Sequence, residues 1–114
     1  MNVMIYTIGS RDHGLGHVKR ELTLARELNR RDIGVLFTTE VGTTSTKIIR
    51  DAGYTCFEYA LGDFGWLQMA GRNAAETLIV DVEGDPSESL IDRARAFFGK
   101  VIVISAAGYA PQGV

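Results

Sequence analysis

Residues 9–20 read GSRDHGLGHVKR, set between a short apolar run, Val3 to Ile8, and a strongly amphipathic one, Val18 to Leu28. The order is strand, glycine-rich loop, helix. A loop that feeds a helix start aims free backbone N–H groups and the positive end of the helix dipole at whatever lies above the sheet, a natural place for an anion. Gly14 and Gly16 permit backbone geometry and close approach that a Cβ would block, and His17 stands at or beside the first helical position. His17 is therefore the leading candidate for chemistry.

Outward from this stretch the chain keeps alternating. Val18, Leu22, Ala25 and Leu28 recur at helical spacing with Leu24 widening the stripe. Lys19, Glu21, Arg26, Glu27, Arg30 and Arg31 fall largely outside it, as in a surface helix lying on a sheet. Ile33 to Thr39 is a second β-rich run. Thr43 or Thr44 is placed to cap a helix through about Ala52, and Gly53 to end it. Tyr54 to Tyr59 reads as a third strand, and Leu61 to Asn73 as a loop or irregular short helix. Thr77 to Val82 is a fourth strand. Asp85-Pro86-Ser87-Glu88 is a strong helix start, with Leu90, Ile91, Ala94, Phe97 and Phe98 as that helix's apolar face. Lys100 to Ile104 is the fifth strand, and Ser105 to Val114 shows no periodicity.

Strands alternating with helices imply right-handed crossovers and a parallel sheet covered on both faces. The simplest solution is an α/β, Rossmann-like, doubly wound sheet of five parallel strands in the order 3-2-1-4-5. Such a sheet binds ligands beyond the carboxyl ends of its strands, where the winding reverses between strands one and four. That placement sets the Gly9 to His17 loop opposite the Asp81 to Asp85 loop.

Composition agrees with one globular domain. The 114 residues are 46% hydrophobic and 23% charged, with a formal net charge of −2, and folding a chain of this size buries roughly 65% of its open surface. No apolar run approaches the roughly 20 residues of a membrane-spanning helix, and no secretory leader is apparent. A cytoplasmic location is expected. The acidic balance gives no general electrostatic reason to bind nucleic acid. Cys56 has no second cysteine to pair with and falls in a strand, which points to core packing in a reducing compartment.

The glycine loop fails several tests. An NTPase phosphate loop needs Lys and then Ser or Thr directly after its last glycine, and Gly14 is followed by Leu15. A dinucleotide fingerprint from Gly14 needs Gly or Ala at position 19, which is Lys, although Glu40 sits where a ribose-binding acid belongs. No metal-ligand spacing and no Gly-x-Ser-x-Gly elbow occurs, so neither zinc nor serine-hydrolase chemistry is expected, and no cofactor is called for.

Gly14-Leu15-Gly16-His17-Val18-Lys19-Arg20, Leu22-Thr23-Leu24-Ala25-Arg26-Glu27-Leu28, Val35-Leu36-Phe37 and Ala52-Gly53-Tyr54 together resemble the N-terminal half of GT-B nucleotide-sugar enzymes. The second half, with Ile79-Val80-Asp81 and Val101 to Ile104, is similar to the UDP-sugar hydrolases of the pseudaminic acid pathway and their spore-coat polysaccharide relatives. The resemblance implies that residues 1–104 are the acceptor-side domain of a GT-B architecture. Residues 105–114 are then a tail or the start of an interdomain linker. It implies that His17 is the general base that deprotonates an acceptor hydroxyl, or water, as the anomeric carbon loses its nucleoside diphosphate.

The partners implied are a nucleotide-sugar, UDP-linked, a sugar or water acceptor, and a second GT-B half on another chain or segment. Gly14, Leu15, Gly16 and Arg20 are the substrate-binding candidates, a solvated helix face being the competing reading for Lys19 and Arg20. Asp81 is the second catalytic candidate, placed to orient the imidazole, against the alternative of a polar strand end. His13 and Asp12 read as solvated loop residues. Phe64, Trp66 and Met69 are either an exposed apolar lip or a loop folded on its own core.

The chain departs from the hydrolases at Tyr6 and Ile8, where they carry Arg and Asp, and at Ser105 and Ala106, where they carry acids. The rival readings are a non-catalytic α/β binding or assembly module and a nicotinamide-dinucleotide-binding domain using Glu40.

Overall fold

The computed structural model describes residues 2–7, 16–60, 63–72, 74–82, 88–105 and 108–112. The strands are β1 Asn2–Thr7, β2 Gly34–Glu40, β3 Thr55–Tyr59, β4 Ala75–Asp81, β5 Lys100–Ser105 and β6 Gly108–Gln112. The helices are α1 Gly16–Arg30, α2 Ser45–Asp51, α3 Gln68–Arg72, entered through a 3-10 turn at Gly65–Leu67, and α4 Glu88–Ala94. They form one sheet of order β3-β2-β1-β4-β5-β6. The first five strands are parallel, in the expected 3-2-1-4-5 order.

β6 corrects the reading of the chain's end. It pairs antiparallel to β5, with Ile104 opposite Tyr109 and Ser105 opposite Gly108. Gly108 and Pro111 break any alternating pattern, which hid the strand. An edge position tolerates proline, because the missing N–H can face away from the ladder.

Strand alternation splits the core between the two faces of the sheet. Val3, Ile5, Phe37, Cys56 and Ile79 point to one face, where Val18, Leu22 and Ala25 of α1 and Ile49 of α2 cover them. Met4, Leu78, Val80, Val101 and Val103 point to the other, under Trp66, Leu67, Leu90, Ile91, Ala94 and Phe98. Covering β1 and β4 on both sides explains why their sequences are nearly continuous apolar runs. Cys56 takes the core role expected of it, with burial raising its thiol pKa to about 11.

The helix ends follow local chemistry. α1 runs two residues past Leu28, because Asp32, at φ 61°, adopts the left-handed conformation there. Its N–H bonds to the Asn29 carbonyl at 3.1 Å and that of Ile33 to Leu28 at 3.0 Å, a Schellman ending built on aspartate. Gly53, at φ 95°, ends α2 in the same way and is where the sequence places that stop. Thr44 occupies the start of α2 but makes no side-chain cap. Thr43 instead donates to the Glu40 carbonyl at 2.9 Å. The expected Asp85 to Ser87 helix start lies outside the described residues. α4 ends at Ala94, and Phe97 and Phe98 follow in turns, Phe98 buried and Phe97 45% exposed. Among the described residues no helix is long and apolar enough to cross a membrane.

Candidate functional site

Asp81 is the last residue of β4 and pairs in register with Thr7, the last residue of β1. These two strands flank the reversal of winding, so Asp81 stands at the carboxyl edge where ligands of doubly wound sheets bind. α1 begins above this edge. His17, Arg20 and Glu21 fall at i, i+3 and i+4, which places them on one face of the helix. That face meets Asp81.

The Asp81 side chain is fully buried, while the His17 side chain is 22% and that of Arg20 52% exposed. His17 Nδ1 lies 2.7 Å from Asp81 Oδ1. Arg20 grips the same carboxylate with two donors, Nε to Oδ2 at 2.9 Å and Nη2 to Oδ1 at 2.5 Å, a bidentate geometry that fits guanidinium to carboxylate. An ionised carboxylate only accepts, so the hydrogen between the ring and Asp81 sits on Nδ1. The 3.2 Å separation of Arg20 Nη2 from His17 Nδ1 is then two donors converging on one oxygen. Nε2 is left as the ring's acceptor in the neutral imidazole, and among the described residues no hydrogen bond to it is seen.

Burial alone would raise the Asp81 pKa. The neighbouring Glu21, the hydrogen bonds from Arg20 and His17 and the Arg20 charge more than offset this and hold it below the ordinary value. Arg20 is correspondingly held more firmly charged, chiefly by its hydrogen bond to Asp81.

Glu21 corrects the sequence reading of a residue outside the apolar stripe. It is 0% exposed. It lies three residues after Val18 and four before Ala25, both buried, so the helical period carries it inward with them. Its pKa rises to about 9, first through burial and then through the neighbouring Asp81 carboxylate. The spacing of Glu21 from His17, Val18 and Ala25 was the signal; its charge masked it.

The other candidates are placed as follows. Gly14, Leu15, Asp12 and His13 lie outside the described residues. Gly16 opens α1 and is exposed, and a Cβ there would meet no described atom within 4 Å, so intramolecular crowding does not call for glycine. Lys19 is exposed. Trp66 belongs to the core, 2% exposed, its ring centroid 5.0 Å from that of Tyr6. Phe64 and Met69 are half-buried against the same core. A shallow depression of about 300 Å³ lies on this α4 face, lined in part by Phe64, Arg93 and Phe97. Arg93 sits 4.9 Å over the Phe64 ring. Glu40 ends β2 and, after burial, is the second influence raising the Tyr6 hydroxyl pKa. No cluster of three metal-ligating side chains occurs among the described residues.

No known protein family matches the sequence. No curated protein matches it either. Among solved structures, MurG of Acinetobacter baumannii aligns with a TM-score of 0.60 over 90% of this chain at 10% identity. MurG is a GT-B glycosyltransferase. The likeness shows the fold, a Rossmann-like domain of GT-B type. The chain spans 40% of the MurG chain.

Proposed function

We propose that this chain is the acceptor-side half of a nucleotide-sugar-dependent glycosyltransferase, or of a related UDP-sugar hydrolase, with His17 as general base and Asp81 as its orienting partner. The observation that carries the reading is the 2.7 Å contact between His17 Nδ1 and the buried Asp81 carboxylate at the switch point of the sheet. A base needs a fixed tautomer with its lone pair turned to substrate, and a buried carboxylate on Nδ1 supplies that. His17 Nε2 takes the proton of an acceptor hydroxyl or of water. The oxygen so freed bonds to the anomeric carbon, and the bond from that carbon to the nucleoside diphosphate breaks, its electron pair leaving with the diphosphate.

Gly14 and Leu15, which precede α1 in sequence, and Gly16 at its start are the substrate-binding residues of this reading, their backbone N–H groups serving sugar or phosphate oxygens. The half-exposed Arg20 adds positive charge beside them. Residues 1–104 form the acceptor-side domain in this reading, and residues 105–114, which include β6, lead from it. A second half, on another chain or segment, completes the nucleotide site, in keeping with the 40% of MurG that the chain spans. Tyr6 is a departure from the hydrolase pattern. It packs against Trp66 on the sheet face away from His17, in the part of the chain where the hydrolases carry an arginine.

The test is turnover of UDP-sugars by the complete enzyme, with its second half present, carrying His17 or the His17→Ala substitution. Loss of ~10²- to 10⁴-fold in kcat with the fold intact is expected of a general base. Unchanged turnover would overturn the assignment.

A further inference from the structure

Asp81 has four lone-pair positions on its two oxygens. Oδ1 receives His17 Nδ1 and Arg20 Nη2, and Oδ2 receives Arg20 Nε. Among the described residues one position on Oδ2 is left open. Arg20 Nε, 2.9 Å from that oxygen, is also 3.8 Å from Glu21 Oε2, so the two carboxyl groups lie side by side under α1. Both oxygens of Glu21 are buried and, among the described residues, accept no hydrogen bond. An ionised carboxylate in that position would face another carboxylate with a single half-exposed guanidinium, already committed to Asp81, to share between them. A protonated one has a single donor, and Asp81 has a single vacancy for it.

We propose that Glu21 is a positioning residue of this site, a buried neutral carboxylic acid whose hydroxyl donates to Asp81 Oδ2 and so fixes the carboxylate that holds His17. Its neighbours agree with that state. The charged groups acting on it are Asp81 from β4, which favours the proton, and Arg20 from its own helix, which opposes it; burial, the largest influence, acts with Asp81 and together they outweigh Arg20, lifting the pKa to about 9. Thr7, beside Asp81 in register on β1, is uncharged. Once Glu21 ionises, two carboxylates compete for one guanidinium, and Asp81 loses its fixed orientation toward the ring. The inference rests on the proposed function for the purpose of the site, and on geometry alone for its arrangement.

The test is nuclear magnetic resonance of the full chain labelled with ¹³C and ¹⁵N, titrated from pH 6 to pH 10. In the wild type the Glu21 Cδ resonance is expected at the position of a protonated acid at pH 7, moving with a midpoint near 9. The His17 ring nitrogens are expected to shift with the same midpoint. Glu21→Gln, whose amide also donates, keeps the His17 signals of the wild type at pH 7 and abolishes the step. Glu21→Leu, which has no donor, displaces them at pH 7. A Glu21 resonance already ionised at pH 7, or a His17 step near pH 9 that persists in Glu21→Gln, would overturn the proposal. The wild-type Glu21 titration decides alone if a variant does not fold. None of these readouts uses turnover, so a catalytically silent His17→Ala would remove the proposed function and leave the Glu21 result standing.

Discussion

Replacing Asp81 by asparagine keeps the shape of the buried side chain and removes its charge. The carboxylate accepts three hydrogen bonds from two cationic or ring donors at 2.5 to 2.9 Å. Asn offers one carbonyl oxygen, which can serve two of the three, and turns an N–H₂ group against the remaining donor. Losing a hydrogen bond to a charged group costs ~1.5–3 kcal/mol. Two features lower that figure here. Arg20 is 52% exposed and can swing into water, where its charge is solvated. Glu21 Oε2, 3.8 Å from Arg20 Nε, can then ionise and take over as partner, because its acidic neighbour is gone. The expected loss for Asp81→Asn is ~1–2 kcal/mol. Urea unfolding followed by the fluorescence of Trp66, the chain's single tryptophan and 2% exposed, measures it. The compensation has its own signature: adding Glu21→Gln to Asp81→Asn costs more than Glu21→Gln costs in the wild-type background. A loss below ~0.3 kcal/mol would mean that the three bonds carry nothing in solution, and one above ~4 kcal/mol would mean that Arg20 cannot reach water, so either would refute this reasoning.

Other outcomes follow from the same contacts. Glu21 keeps its proton to about pH 9 in the folded chain and loses it near the ordinary value, 4.5, when unfolded. Its contribution is therefore complete below the unfolded value and lost as pH rises through the folded one. Stability should fall between them by at most ~1.4 kcal/mol per pH unit, a slope that Glu21→Gln removes in denaturation series at fixed pH. Asp81 acts in the opposite sense and lower down, its stabilisation fading only as pH falls through its depressed pKa. Trp66→Ala should cost ~3–5 kcal/mol in urea unfolding followed by circular dichroism, through the cavity it leaves against Tyr6. Gly53→Ala should cost ~1–2 kcal/mol by thermal unfolding, from backbone strain at φ 95° alone, since a Cβ there meets nothing within 4 Å.

The sheet was legible because its signals are redundant. Apolar runs, helix stripes and the stops around Gly53 all demand the same alternating order, and the parallel five-strand arrangement follows from chirality. That His17 and Asp81 meet was legible for a related reason, since the topology fixes where the end of β4 and the start of α1 come together. Glu21 was misread because a charged side chain counts as polar in any stripe, although its spacing from Val18 and Ala25 is that of a core residue. Its burial depends on Asp81 and Arg20, partners 60 and one residues away in sequence that no local pattern connects. Arg20 was read as free for substrate or solvent for the same reason: its tie to Asp81 exists only in three dimensions. β6 was missed because a short edge strand needs only a neighbour with free backbone groups and leaves little trace in composition.

The most direct test of the central claim is a titration of the ¹⁵N-labelled chain with UDP-sugars to millimolar concentration, following every backbone amide and the His17 ring. Shifts are expected at the residues that precede α1 in sequence, at His17 and Arg20 and at the end of β4, larger for a UDP-sugar than for UDP. Shifts confined to the depression at Phe64, Arg93 and Phe97, or none at His17 at saturating ligand, would contradict it.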